Sequence, residues 1–257
     1  MALKYSTGAR QFMAAHGSLR DMFQNGKIEI YSGAQPATAD AAVTGTLLCT
    51  ITDNSATRTA EVLAAGSVTL NTGTAGSLDT LTVNGVEIMG SSTPYNGSLT
   101  QTAADVAAKC QANRSSVDYD VTAAASVITI TARPGTGAAS NGFVVASTAT
   151  TITKTDANLA GGVTAVNGLK FGDAAAGVLS KLSTQTWSGV NGNSGTAGYY
   201  RIYGSVADAG ALDSTGTALR EDGAISTSAA ELNMASTSLT ATATTAITAW
   251  QRTITTA

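Results

Sequence analysis

Apolar residues recur along this sequence at two spacings: every second position over most of its length, and every third or fourth in two short stretches. The clearer helical stretch is Thr102–Asn113, where Ala103, Val106, Ala107 and Cys110 fall at i, i+3, i+4 and i+7 and so share one face. Thr102, with Asp105 three residues on, reads as its cap. The other is the N-terminal region. There Ser18-Leu19-Arg20-Asp21 has the form of a capping box, Leu19, Met22 and Phe23 share a face, and Phe12 and Met13 give an apolar edge to an earlier turn. Asn25-Gly26 ends this lead-in.

Everywhere else the period is two. Ile28 and Ile30 alternate with Glu29 and Tyr31, and residues 46–52 read as a mostly buried strand. After a polar connector at 53–65, Ser67-Val68-Thr69-Leu70 opens a new run of strands. Leu81 and Val83 lead through Asn84-Gly85 into Val86 and Ile88, a two-residue hairpin signal, because both central residues tolerate positive φ. Residues 118–122, 126–131 and 142–146 add strands around the helix, and the run closes at Gly161-Gly162-Val163. Short strands resume at 168–171 and 178–181. The most regular is Tyr199-Tyr200-Arg201-Ile202-Tyr203, which puts Tyr199, Arg201 and Tyr203 on one face and Tyr200 and Ile202 on the other.

The pattern predicts a mainly β fold: a β-sandwich, jelly-roll or Ig-like, interrupted by a small α+β domain. The expected parts are an N-terminal helical arm (1–26), a discontinuous β-domain (27–65 plus 164–257) and an inserted β-β-α-β-β domain (66–163). The arm either packs on its own domain or reaches a neighbouring subunit.

Composition sharpens this. Of 257 residues 43% are apolar, but only 12% are charged and 5% aromatic. A surface so poor in charge is weakly defended against association, which points to a protein packed against copies of itself or against neighbours. The net charge of −3 and the absence of a Lys/Arg stripe predict no nucleic-acid partner. No apolar run is long enough to span a bilayer, and the N-terminus has no continuous apolar core of a signal peptide. Cys49 and Cys110 fall in different predicted domains and read as reduced core residues.

Catalytic chemistry finds no foothold. His16 is the only histidine, no nucleophile-elbow pattern accompanies it, and His and Cys together number too few for a recognisable metal site. The pairs Asp118/Asp120 and Glu221/Asp222 read as solvated charges. No catalytic residue, metal ligand or cofactor is therefore expected. Tyr199, Arg201 and Tyr203, with Phe12 and Phe23 of the arm, are the candidate partner-binding residues; the tyrosine face, with Trp187 nearby in sequence, is a candidate glycan-stacking platform.

Two stretches bear a family likeness. Residues 28–40 (Ile28-Glu29-Ile30-Tyr31-Ser32-Gly33 onward) with Gly45-Thr46-Leu47-Leu48-Cys49 resemble the opening of a family of small virion proteins of tailed bacteriophages. Thr186-Trp187-Ser188-Gly189, Gly198-Tyr199-Tyr200-Arg201 and Glu231-Leu232-Asn233-Met234 are similar to its second half. The segment between is similar to a module recurring in phage tail and other virion proteins, through Thr82-Val83-Asn84-Gly85-Val86, the helix, Ile128-Thr129-Ile130-Thr131 and Ala160-Gly161-Gly162-Val163. The resemblance implies a non-enzymatic, multi-copy structural protein of the virion, made in the bacterial cytoplasm, with other copies of itself and other virion proteins as partners. Capsid decoration or a neck/collar position is the first expectation and the tail the next. A receptor- or glycan-binding adhesin is the rival, and a cell-wall glycan hydrolase using Asp118 or Asp120 stands behind it.

Overall fold

The computed structural model describes residues 3–113 and 119–253. The fold is mainly β, and the protein divides into two compact units, Met1–Glu61 with Ala165–Ala257 (unit 1) and Val62–Thr164 (unit 2).

Unit 1 begins with β1 (Lys4–Tyr5), α1 (Thr7–Ala15) and α2 (Leu19–Phe23). Two serines start the helices. The Ser6 hydroxyl accepts from Ala9 N at 3.2 Å, and Ser18 and Asp21 close a reciprocal box, the side group of each taking the other's backbone N–H. These residues are no reaching arm. Ala9, Phe12, Leu19, Met22 and Phe23 lie in the core of unit 1, so of the two readings the arm packs on its own domain, and the candidate partner-binding role of Phe12 and Phe23 is corrected. Their apolar stripe is satisfied within the unit.

β2 (Lys27–Ser32) and β3 (Leu47–Asp53) follow, and the backbone then builds unit 2. Its elements are β4 (Ala65–Thr72), β5 (Ser77–Val83), β6 (Val86–Glu87), β7 (Thr93–Pro94), α3 (Leu99–Ala112), β8 (Tyr119–Ala124), β9 (Val127–Ala132), β10 (Val145–Thr150) and β11 (Thr153–Ala160). They form two sheets, ordered β11-β4-β9-β8 and β10-β5-β6, with β7 also on β5. Asn84 (φ 49°) and Gly85 (φ 80°) make the β5–β6 turn, pairing Val83 with Val86. The stripe Ala103, Val106, Ala107 and Cys110 of α3 packs into one core with Val68, Leu70, Leu81, Ile128 and Ile130. The helix starts earlier than Thr102, because Ser98 is its cap, accepting from Gln101 N at 3.1 Å.

The backbone returns to unit 1 as β12 (Val178–Ser180), β13 (Trp187–Val190), β14 (Gly195–Tyr203), β15 (Arg220–Ser226), β16 (Leu232–Asn233), β17 (Ser238–Leu239), β18 (Thr244–Ile247) and β19 (Gln251–Thr253). A nine-stranded sheet runs β1-β15-β14-β2-β3-β13-β18, with β16 on β15 and β17 on β14; β12 and β19 pair separately. On one face Ile28, Ile30, Ile51, Tyr200 and Ile202 meet α1, α2 and the ring cluster Phe171, Trp187 and Trp250. Gly223 lies opposite Tyr200, where a Cβ would stand 2.3 Å from the tyrosine hydroxyl, so only glycine leaves room for that ring.

Candidate functional site

The other face of the sheet is polar and almost entirely covered. Antiparallel register sets Arg201 of β14 opposite Asp222 of β15 and Glu29 of β2, Tyr199 opposite Tyr31, and Tyr203 opposite Arg220 and Lys27. Residues directly opposite on one face are near neighbours, so the register alone assembles a layer of charges and phenols. Arg201 holds Asp222 in a two-pronged pair, Nε to Oδ1 at 2.6 Å and Nη2 to Oδ2 at 2.7 Å, with both side groups wholly buried. Burial opposes the Arg201 charge, but the carboxylate bound to it overcomes this and raises its pKa.

Two loops lie over this layer. Arg201 Nη1 donates to Ala41 O at 3.0 Å, and the Tyr199 hydroxyl donates to Thr44 O at 2.7 Å while accepting from Thr44 N. Arg220 takes Asp208 in a second two-pronged pair and donates to Ala211 O at 2.8 Å. Tyr31 stacks on Tyr199 with ring centres 5.2 Å apart, donates to Glu29, and meets the Tyr203 hydroxyl at 3.2 Å. Burial, then the Glu29 carboxylate, holds the Tyr31 and Tyr203 phenols protonated well above their ordinary range. The structure thus brings Tyr199, Arg201 and Tyr203 together, but all three are fully buried. The candidate binding platform is corrected: both faces of β14 are covered from Tyr199 to Tyr203, and these side chains pack in the sheet.

The expectation that Glu221 and Asp222 are solvated charges is also corrected, since both are fully buried. Glu221 points to the core face, where its Oε1 accepts from Tyr200 (2.8 Å) and from Arg252 Nη2 (2.7 Å), tying the last strand to the sheet. Asp120 is exposed on β8, and Asp118 lies outside the described residues. His16 ends α1 with its ring edge-on to Phe12. Among the described residues no group of three His, Cys, Asp or Glu is placed to hold a metal ion.

Beyond the loops, the polar face opens into a cleft of about 740 Å³, within the usual range of ligand sites. Thr50, Thr52 and Ser55 line it with hydroxyls, of which Thr52 donates to Ala56 O at 2.7 Å and Ser55 meets the Ser188 hydroxyl at 2.9 Å; Val190 gives an apolar lip, and Lys27, Glu29, Arg58 and Asp208 bring charge. Those charges are engaged internally. Lys27 pairs with Glu29 and lies 4.7 Å from the Tyr203 ring centre; Asp208 belongs to Arg220; Arg58 donates to the carbonyls of Asn25, Gly204 and Ser205. The lining contains no histidine or cysteine to activate a hydroxyl. What it offers is a recess of hydroxyls and internally paired charges. Sequence reasoning misses it because its walls come from residues 55–60 and 207–209, far apart in the sequence; the alternation of Glu29 with Ile28 and Ile30 is the one local signal of a polar face.

No protein-family model, curated protein or solved structure matches this protein.

Proposed function

We propose that this protein is a non-enzymatic structural component of a bacteriophage virion, present in many copies and held by contacts with itself and with other virion proteins. Capsid decoration or a neck/collar position is the preferred location, with the tail next. The observation that carries the reading is where the charge goes. Unit 1 uses Arg201, Arg220, Arg252, Asp208, Glu221 and Asp222 to fasten its own strands and loops. Outward strand positions of unit 2 carry Thr80, Thr82, Thr122, Thr148 and Thr155. Surfaces of this kind associate through shape and hydrogen bonding, repeated by symmetry, rather than through long-range charge. Antibody raised against the purified protein, gold-labelled and applied to intact particles, tests the reading. Label on the head vertices or faces, or at the neck, supports it, and label confined to host debris opposes it.

A second reading is favoured by one observation, the hydroxyl-lined cleft: the protein is an adhesin for a neutral, hydroxyl-rich receptor. Val190→Trp at the cleft lip then abolishes adsorption of particles to cells while leaving their assembly intact.

A further inference from the structure

The sequence contains six Asn-Gly pairs, at Asn25, Asn84, Asn96, Asn141, Asn167 and Asn191. This dipeptide is prone to a self-contained reaction, because glycine leaves its own N–H accessible to the preceding side group. The glycine nitrogen attacks the asparagine Cγ, an N–C bond forms, the amide C–N bond of the asparagine breaks, and ammonia leaves. Water then opens the cyclic imide at either carbonyl, giving aspartate or, with one extra methylene in the backbone, isoaspartate. The attack needs an asparagine amide free to turn and a glycine N–H not held elsewhere.

The structure separates the six. Asn141 has both ends of its amide bonded to Gly162, its Nδ2 to the carbonyl at 2.8 Å and its Oδ1 to the N–H at 2.7 Å. Asn191 is buried, with Nδ2 on Thr240 O, Oδ1 on the Thr245 hydroxyl, and the next N–H on Leu48 O. Asn96 donates to Asp105 and Asn167 to Thr57 O. At Asn25 the following N–H, of Gly26, is held by Phe23 O at 3.0 Å. Asn84 differs in that nothing holds either reacting group. Its side-chain amide and the Gly85 N–H make no hydrogen bond among the described residues, although the Asn84 backbone N–H donates to Val144 O at 2.8 Å; Asn84, Gly85 and Val86 are all exposed, and nothing stands within 4 Å of where a Cβ on Gly85 would lie. The turn is closed by β6, only two residues long, so its opening is cheap.

We propose that Asn84-Gly85 is a self-modification site, converting the tip of the β5–β6 hairpin to aspartate and isoaspartate. The product places a new negative charge beside Val86, and the isoaspartate form breaks the two-residue turn that pairs Val83 with Val86. This inference is independent of the virion reading.

The test is to hold the intact protein in mildly alkaline buffer and map its peptides over time by mass spectrometry with fragmentation that separates the two aspartyl isomers. A denatured sample serves as control. The expected result is loss of the amide at Asn84 while the other five pairs keep theirs, with all six reacting in denaturant. Asn84→Gln removes the product without touching the core. Earlier loss at any other pair, or an unchanged Asn84 in the folded protein, overturns the proposal.

Discussion

Arg201 and Asp222, 21 residues apart in the sequence, meet across two neighbouring strands in a two-pronged ion pair from which water is wholly excluded. Two buried charges repay their desolvation only while both are present, and losing one strands the other. Arg201→Leu or Asp222→Leu alone is expected to cost about 3–5 kcal/mol in chemical denaturation. The double replacement recovers most of that loss. If the double variant is as unstable as the sum of the singles, the pair is not what holds this face together.

In unit 1 Thr59 and Val166 exchange two backbone hydrogen bonds of 3.1 Å, and in unit 2 Val62 and Val163 do the same at 3.0 and 2.9 Å. Each unit therefore brings its own two cut ends side by side. Deleting Val62–Thr164 and joining Glu61 to Ala165 through a short linker leaves unit 1 folded, and the isolated Val62–Thr164 segment folds around its own core. Dispersed amide NMR spectra of both pieces, superimposable on subsets of the parent spectrum, are the expected outcome. A collapsed spectrum for either contradicts it.

The two cysteines report on the units separately. Burial pushes the Cys49 thiol up to about 11, and burial with the Glu87 charge pushes Cys110 up to about 12. At neutral pH neither is a thiolate, the reactive form. A thiol reagent is expected to leave both untouched in the native protein and to label both in denaturant. Labelling of one well before the other along a denaturant series shows that the units unfold independently.

Asp213 predicts an acid-sensitive loop. Partial burial works against its charge, but hydrogen bonds from Ala218 N (2.8 Å), Thr215 and Gly216 N (2.9 Å) win and lower its pKa from 3.8 to about 2. A carboxylate whose folded pKa is depressed contributes stability that is complete above its unfolded value and fades as pH falls through the folded one. The Gly216 and Ala218 amide resonances should therefore hold their native positions down to about pH 4 and titrate as the pH falls toward 2. Asp213→Asn removes that step.

Much of the fold is readable because its signals are local. Asn84-Gly85 specifies its own backbone and forms the expected turn, and the stripe Ala103 to Cys110 lies against the core as its spacing requires. The start of α3 is ambiguous in sequence, since Thr102 and Ser98 are both good caps. The structure uses Ser98, and the Thr102 hydroxyl instead bonds back to Ser98 O. The alternation of β14 is readable, but its burial is not. A period of two gives the same sequence whether its polar face meets water or a partner, and the partners of Arg201 and Glu221 lie on strands and loops remote in sequence. Adjacent carboxylates such as Glu221 and Asp222 look solvated until Arg252 and Arg201 are placed beside them. The cleft is illegible for the same reason.

The most direct measurement is quantitative mass spectrometry of purified phage particles, scaling this protein's copy number to the major capsid protein. Stoichiometric presence is the predicted result: near the capsid protein's own abundance for decoration, or the small fixed number of one ring for neck or tail. Absence from washed particles, with the protein present in the infected-cell lysate, contradicts it.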